Sequence, residues 1–174
     1  KLLAKQEAKI AAFIGGGAQA YYQCEALCHV RKIEEIRIVD LNPDTVDSFI
    51  IAITTFFKGK ITRSPNIEAC VKNVDIITLT TPSRTPLLQG EWVAPGTHIN
   101  AIGADAEGKQ ECDVSVLKKA SIFIDEWEQA SHSGEINVPI SNKTLNKEDI
   151  KGTIGDLIVG KIPGRQSDND ITLF

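Results

Sequence analysis

The sequence predicts an α/β protein with a doubly wound, mostly parallel sheet and helices on both faces. Three observations support this prediction. Short apolar runs such as Ile10–Ile14 and Ser121–Ile124 alternate along the chain with segments of helical periodicity. The run Ile10–Ile14 has no polar alternation, which is typical of a strand buried on both faces. Three consecutive glycines, residues 15–17, join that run to the first helical segment.

The glycine turn has the spacing of a dinucleotide-binding loop. Gly15, Gly17 and Ala20 fill the three positions of the pattern G-x-G-x-x-G/A. In that pattern the first residue allows a tight turn, the second lets a pyrophosphate approach the backbone, and the third packs the helix against the strand. A helix that begins near Ala18 directs its free N–H groups and its positive end toward the phosphates.

A carboxylate follows where a bound adenosine ribose would lie. The second predicted strand, residues 36–40, ends in Asp40, twenty residues after Ala20. A carboxylate there accepts hydrogen bonds from a ribose 2′-OH and repels a 2′-phosphate. Together these features predict a Rossmann domain that binds NAD rather than NADP. The alternatives are a glycine-rich turn with no nucleotide and a turn for another phosphate ligand. The absence of G-K-[ST] after the glycines argues against a P-loop.

Periodicity, capping residues and turn residues predict the remaining elements in order. Helices are expected over residues 18–32, from Pro43 behind an Asn42 cap, and over 66–72, 113–119, 126–133 and 147–159; strands are expected over 59–62, 74–79, 97–102, 121–124 and 171–174. Residues 141–143 read as a polar linker. Residues 1–145 are therefore expected to form the nucleotide-binding domain, and residues 146–174 a returning helix and the beginning of a second domain. The helical composition of the first residues and the strand at the end predict a fragment of a longer protein.

Composition argues against several classes of function. The chain has 174 residues, of which 42% are apolar and 24% charged, with a net charge of −4. These values suit one domain with a core and give no reason to expect nucleic-acid or membrane partners. No apolar run approaches the roughly 18 residues of a membrane helix. Cys24 and Cys28 share a helix face without the further ligands of a zinc site, so buried thiols in a reducing cytoplasm and no metal are expected.

Polar residues follow two later strands. Thr80, Thr81 and Ser83 come after the predicted strand 74–79, at the edge of the sheet where ligands bind in such folds. Their hydroxyls suit a nicotinamide ribose or carboxamide, or else only stabilise turns beside prolines. Asp105 follows the next strand. It is either a base that takes a proton from a substrate amine, or an N-cap or turn residue.

The chain resembles the ornithine cyclodeaminase/mu-crystallin family, which also contains an archaeal-type alanine dehydrogenase. The matching stretches run in order over nearly the whole chain: G-G-G-A-Q-A from Gly15, D-L-N-P from Asp40, T-T-P-S-R-T-P-L-L from Thr80, G-E-W-V-A-P-G-T-H-I-N-A-I-G-A-D-A-E-G-K-Q-E from Gly90, E-Q-A-S-H-S-G-E-I from Glu128 and G-R-Q-S-D-N-D-I-T-L-F from Gly164. The block over residues 90–111 is the most specific. The stretch near Gly155 follows the family only loosely, and no site is placed there.

The resemblance implies a role for each matching position. Cofactor-binding residues would be Gly15, Gly17, Ala18 and Gln19 at the pyrophosphate, Asp40 at the adenosine ribose, Thr80 or Thr81 at the nicotinamide half, Ile102, Gly103 and Ala104 against the ring, and Lys109 at cofactor or substrate. Asp105 would be the catalytic carboxylate beside the reacting carbon.

The resemblance also implies an activity. NAD would take a hydride from the α-carbon of a small L-amino acid with loss of ammonia, as in the conversion of ornithine to proline. The alternatives are an NAD-dependent alanine dehydrogenase, a ketimine reductase, or a crystallin-like nucleotide binder without turnover. The family's N-terminal substrate and dimerisation part has no counterpart here. A homodimer would form through that part, and the fragment alone is expected to bind NAD poorly or to be inactive.

Overall fold

A computed structural model describes residues 2–174 of the chain. These residues contribute eight strands to one parallel sheet: β1 (Ile10–Ile14), β2 (Glu35–Val39), β3 (Lys60–Arg63), β4 (Ile76–Leu79), β5 (His98–Ala101), β6 (Ser121–Ile124), β7 (Ile150–Thr153) and β8 (Thr172–Leu173). The helices are α1 (Ala18–Val30), α2 (Pro43–Ile53), α3 (Ile67–Val71), α4 (Val114–Lys119), α5 (Trp127–His132), α6 (Asn137–Ser141) and α7 (Ile154–Ile158). The predicted fold class is confirmed.

Side-chain alternation along β1 explains why both faces of the sheet are covered. Ala11 and Phe13 belong to a core shared with α1 and α2, whereas Ala12 and Ile14 belong to a second core shared with α3, α4 and α5. All four side chains are buried. Burial of a side chain the size of Phe13 stabilises the fold by about 1.5–3 kcal/mol. A strand with apolar side chains on both faces thus fixes helices on both sides.

The order of strands places a crevice beside β1. Across the sheet the order is β3-β2-β1-β4-β5-β8-β6-β7. The chain leaves β1 toward β2 and β3, and then crosses to β4 on the other side of β1. The two connections therefore diverge at the carboxyl ends of β1 and β4, which is where open α/β sheets bind ligands.

Local capping sets where three helices begin. The Asn42 side chain accepts a hydrogen bond from the Asp44 N–H at 3.0 Å, and Pro43 occupies the first position of α2. Asn66 caps α3 through the Ala69 N–H at 2.8 Å, and Asp113 caps α4 through the Ser115 N–H at 2.8 Å. The predicted Asn42 cap is confirmed.

The helix predicted over residues 147–159 is wrong for residues 147–153 and is confirmed only for residues 154–158. Asn146 caps only a single 3₁₀ turn, Lys147–Asp149, and residues 150–153 form β7, which pairs with β6. Gly152 has φ +143°, which no helix contains. The Thr153 side chain then accepts a hydrogen bond from the Asp156 N–H, so α7 begins only at Ile154. The sequence pattern does not predict the short helix α6, which contains Pro139.

Residues 146–174 are part of the same sheet as the rest of the chain. β7 forms one edge, and β8 lies between β5 and β6. The strand expected at the chain end is present, but in the interior of the sheet. The assignment of residues 146–174 to a second domain stays a prediction. Over residues 2–174, no helix is long and apolar enough to cross a membrane.

Candidate functional site

The glycine turn is hydrogen-bonded to the end of β2 on one side and is open on the other side. Gly15 adopts φ +92°, and its N–H donates to the Val39 carbonyl at 2.9 Å. The Gly16 N–H donates to Oδ2 of Asp40 at 2.8 Å. A Cβ at Gly17 would meet no heavy atom within 4 Å. The backbone at Gly17 is therefore free to approach a ligand, as the pattern requires.

The N-terminus of α1 faces the same opening. Gly17 precedes the helix, no side chain caps it, and its first turn contains no acidic residue. Ala18 and Gln19 are exposed in that turn, whereas Ala20 is fully buried against the sheet. The free N–H groups and the positive end of the helix thus remain available for an anion.

Asp40 has two functions in this turn. Its Oδ2 holds Gly16, and its Oδ1 accepts the Asn42 N–H at 2.9 Å. Each carboxylate oxygen can accept a further hydrogen bond, and the side chain borders the opening. The carboxylate can therefore hold the turn and still bind a sugar diol.

The glycine turn and Asp40 border one large cleft of about 1010 Å³. It extends from Asp40 and Leu41 past the glycine turn to the loop after β4 and to Trp92. Of the predicted cofactor residues, the cleft brings together Gly15, Gly17, Asp40, Thr80 and Thr81. Its size and its open turn fit an extended dinucleotide.

The two threonine hydroxyls already donate hydrogen bonds within the protein. Thr80 Oγ1 lies 3.1 Å from the Gly15 carbonyl, and Thr81 Oγ1 donates to Oε1 of Glu111 at 2.6 Å. Each hydroxyl oxygen can still accept a hydrogen bond. The hydroxyls thus position the turn and the loop, and a cofactor amide could only donate to them.

Three of the remaining predicted residues line a second cavity. This cavity measures about 270 Å³ and is lined by the ends of β5, β6 and β8, with Ile102, Ala104 and Asp105 among its walls. Asp105 is exposed and is paired with the Lys109 ammonium. The hydrogen bond and the positive charge of Lys109 lower the pKa of Asp105. The carboxylate is therefore ionised at neutral pH and can accept a proton.

Glu111 links the two groups of residues and was not assigned a role from the sequence. Its carboxylate accepts the Thr81 N–H at 2.7 Å and, through Oε2, the Gly103 N–H at 2.8 Å. The side chain is fully buried. Because burial removes water from the carboxylate, the pKa of Glu111 is raised, although the hydrogen bonds oppose this.

A second buried carboxyl group supports Glu111. Glu135 accepts the N–H groups of Glu111, at 2.9 Å, and Cys112. It is 7% exposed and also borders the smaller cavity. Burial raises the pKa of Glu135 to about 8, and the nearby Glu111 contributes in the same direction. The sequence signal for both acids lies only in the stretches that resemble the family.

Within residues 2–174 no group of three or more His, Cys, Asp or Glu side chains could hold a metal ion. The four cysteines are free thiols, three of them buried. His98 is buried in β5, with Nδ1 2.9 Å from Thr172 Oγ1 and Nε2 3.0 Å from Asn100 Oδ1. Its contacts are those of a structural residue.

Comparison with known proteins assigns the family. The ornithine cyclodeaminase/mu-crystallin family model matches residues 1–174. The chain belongs to this family. An alanine dehydrogenase of Archaeoglobus fulgidus is 44% identical over 175 residues, which cover 100% of this chain and 53% of that protein. The chain thus spans about half the length of this relative.

Solved structures of similar proteins have the same fold. An archaeal alanine dehydrogenase dimer with bound NAD is 44% identical, with a TM-score of 0.94 over 99% of this chain and 53% of that one. The Δ1-pyrroline-2-carboxylate reductase of Thermococcus litoralis, in complex with NADH and L-proline, is 30% identical, with a TM-score of 0.94 over 99% and 54%. The iminosuccinate reductase of Paracoccus denitrificans, in complex with NAD⁺, is 28% identical, with a TM-score of 0.90 over 98% and 52%.

Proposed function

We propose that this chain is the NAD-binding half of an enzyme that interconverts a small L-amino acid and its imine or oxo acid. The main support is the 44% identity, over the whole chain, with an alanine dehydrogenase. An NAD-dependent alanine dehydrogenase is therefore the first candidate.

The residues of the larger cleft fit NAD. The open backbone at Gly17 and the uncapped N-terminus of α1 suit a pyrophosphate. The Asp40 carboxylate suits a ribose with a free 2′-OH and opposes a 2′-phosphate. NAD, when bound, supplies the acceptor and donor of the hydride.

The remaining chemistry falls to residues at the end of β5. Asp105 is ionised, exposed and next to the Lys109 ammonium. We assign to it the removal of a proton from the substrate α-amine, directly or through a water molecule, because the amine must be neutral before the Cα–N bond is oxidised. Lys109 keeps this carboxylate in its basic form. Residues that bind the substrate carboxylate would come from outside this chain, as would the contacts of a homodimer.

A second candidate is cyclodeamination of ornithine to proline, an activity for which the family is named. The cyclodeaminase and the dehydrogenase would share the first step, oxidation of the amino acid at its α-carbon to an imine. The side-chain amine would then attack the imine, ammonia would leave, and return of the hydride to the cyclic imine would give proline with no net formation of NADH. In the dehydrogenase, water attacks the imine instead, and the oxo acid, ammonia and NADH are released.

Product balance distinguishes these reactions. The protein encoded by the longest natural reading frame that contains this chain would be incubated with NAD⁺ and either alanine or ornithine. The amounts of NADH and ammonia formed would then be measured. Equal amounts of NADH and ammonia formed from alanine support the dehydrogenase. Ammonia from ornithine without net NADH supports the cyclodeaminase, and NADH binding with neither product supports a binder without turnover. Tighter binding of NADPH than of NADH would contradict the role of Asp40.

A further inference from the structure

Glu111 lies where the two halves of the candidate site meet. β4 and β5 are neighbours in the sheet, and the residues that follow them carry Thr81 on one side and Gly103 on the other. The larger cleft borders the first of these loops, and the smaller cavity with Asp105 borders the second. A cofactor that extends from the cleft toward Asp105 must pass both loops.

The carboxylate of Glu111 bridges these loops. Oε1 accepts the Thr81 N–H at 2.7 Å and the Thr81 hydroxyl at 2.6 Å, while Oε2 accepts the Gly103 N–H at 2.8 Å. A neutral amide could not replace it, because only a carboxylate presents acceptors on both oxygens. The loops also touch directly, since a Cβ at Gly103 would lie 2.1 Å from the Thr81 carbonyl.

The main chain of Glu111 fixes the rest of the β4 loop. Its carbonyl accepts the N–H groups of Leu87, at 2.7 Å, and Leu88, at 3.0 Å. Its own N–H donates to the buried Glu135 carboxyl group at 2.9 Å. Glu111 thus holds the loop after β4 at both ends. Its own position is fixed by Glu135, which borders the smaller cavity.

We propose that Glu111 is a positioning residue, which sets the distance between the cofactor-binding loop after β4 and the catalytic carboxylate after β5. This inference rests on the proposed function. Glu111 is fully buried and lines neither cavity, so it would act through Thr81 and Gly103. Loss of the bridge should disturb the pyrophosphate end of the cleft less, because the Asp40 carboxylate holds the Gly16 N–H independently of Glu111.

The test compares Glu111→Gln with Glu107→Gln, which removes a charge from an exposed side chain on the same loop. In the full-length protein, Glu111→Gln should lower kcat about 100-fold, as expected for a small misplacement of reacting groups. The Kd for NADH should change much less. The kinetic isotope effect with α-deuterated amino acid should rise, because hydride transfer becomes rate-limiting. Glu107→Gln should match the wild type in all three measurements.

Amide hydrogen exchange tests the bridge without relying on turnover. Exchange at residues 80–83 and 102–105 should be faster in Glu111→Gln than in the wild type and unchanged in Glu107→Gln. If Glu111→Gln does not fold, Thr81→Val removes the hydroxyl contact to Glu111, and exchange at residues 102–105, which do not bond the Thr81 hydroxyl, should then be faster at smaller amplitude. Unchanged exchange, or faster exchange with unchanged kcat, would overturn the proposal. If the wild type turns over no amino acid, the proposed reaction fails, and exchange together with the fluorescence of bound NADH still decides the role of Glu111.

Discussion

At the scale of single residues, the first and second glycines of the G-x-G-x-x-G/A pattern are required for different physical reasons. Gly15 has φ +92°, and a Cβ there would lie 3.0 Å from both the Thr80 carbonyl and Thr81 Cγ2. Gly17 has φ −71°, which any residue adopts, and a Cβ there would meet nothing. Gly15 is therefore required by the fold itself, whereas Gly17 is required only if a ligand approaches it.

This difference predicts opposite outcomes for two similar substitutions. Gly15→Ala should lower the stability of the cofactor-free protein by about 1–2 kcal/mol, the cost of a left-handed conformation for a residue with a Cβ. Gly17→Ala should leave the melting temperature unchanged but weaken NADH binding, because its methyl group occupies the approach to the backbone. Thermal unfolding and NADH titration measure the two effects. Wild-type NADH affinity in Gly17→Ala would mean that no pyrophosphate lies at this turn.

At the scale of elements, the sequence predicts best where the signals are local. The bounds of β1 were predicted to the residue, because glycines end its apolar run. Asn42 and Pro43 likewise mark the beginning of α2. The prediction for residues 150–153 is wrong, since the apolar spacing of residues 150–159 fits one helix as well as a strand followed by a helix. Only the pairing of β7 with β6, far away in sequence, decides between the two.

The interior strand β8 depends on side-chain contacts because it has only two residues. Thr172 is fully buried, and its hydroxyl donates to the Leu3 carbonyl at 3.1 Å. The Thr172 hydroxyl oxygen also accepts a hydrogen bond from the Arg165 guanidinium at 3.2 Å. The same oxygen lies 2.9 Å from the ring of His98. The hydroxyl thus connects the chain end to β5 and to the N-terminal segment.

Removal of this hydroxyl should destabilise the sheet more than removal of the neighbouring methyl group. Thr172→Val keeps the volume but leaves buried polar partners unsatisfied, at a cost of about 1–3 kcal/mol. Thr172→Ser keeps the hydroxyl and loses roughly 0.8 kcal/mol of methyl burial. Urea unfolding of both variants, with unchanged m-values, measures the difference. A valine variant more stable than the serine variant would show that packing, not hydrogen bonding, anchors β8.

At the scale of the whole molecule, the candidate site was predictable only in part. Gly17 and Asp40 are found from one local pattern, and the structure brings both to the same cleft. The bridge from Glu111 to Thr81 spans 30 residues, and the contact from Glu135 to Glu111 spans 24. Neither contact leaves a periodic signal in the sequence, because each depends on how the strands are ordered in the sheet.

Two buried groups make the stability of the whole molecule depend on pH in opposite directions. Burial lowers the pKa of His98 to about 4 from 6.5. The unfolded chain therefore takes up this proton first, and stability is lost as the pH falls from 6.5 to about 4. Burial raises the pKa of Glu135 to about 8 from 4.5, so the unfolded chain releases its proton first. Stability is then lost as the pH rises from 4.5 to about 8.

The slopes of these two groups cancel between pH 4.5 and 6.5, and outside that range only one of the two contributes. Between pH 6.5 and 8 the Glu135 contribution should lower the free energy of unfolding by up to about 1.4 kcal/mol per pH unit. Glu135→Gln imitates the protonated side chain and should remove this decline, whereas His98→Gln should leave it in place and flatten only the acid side. Urea unfolding at each pH measures both. An unchanged decline in Glu135→Gln would mean that this carboxyl group is ionised in the folded protein, with its charge balanced by the N–H groups of Glu111 and Cys112.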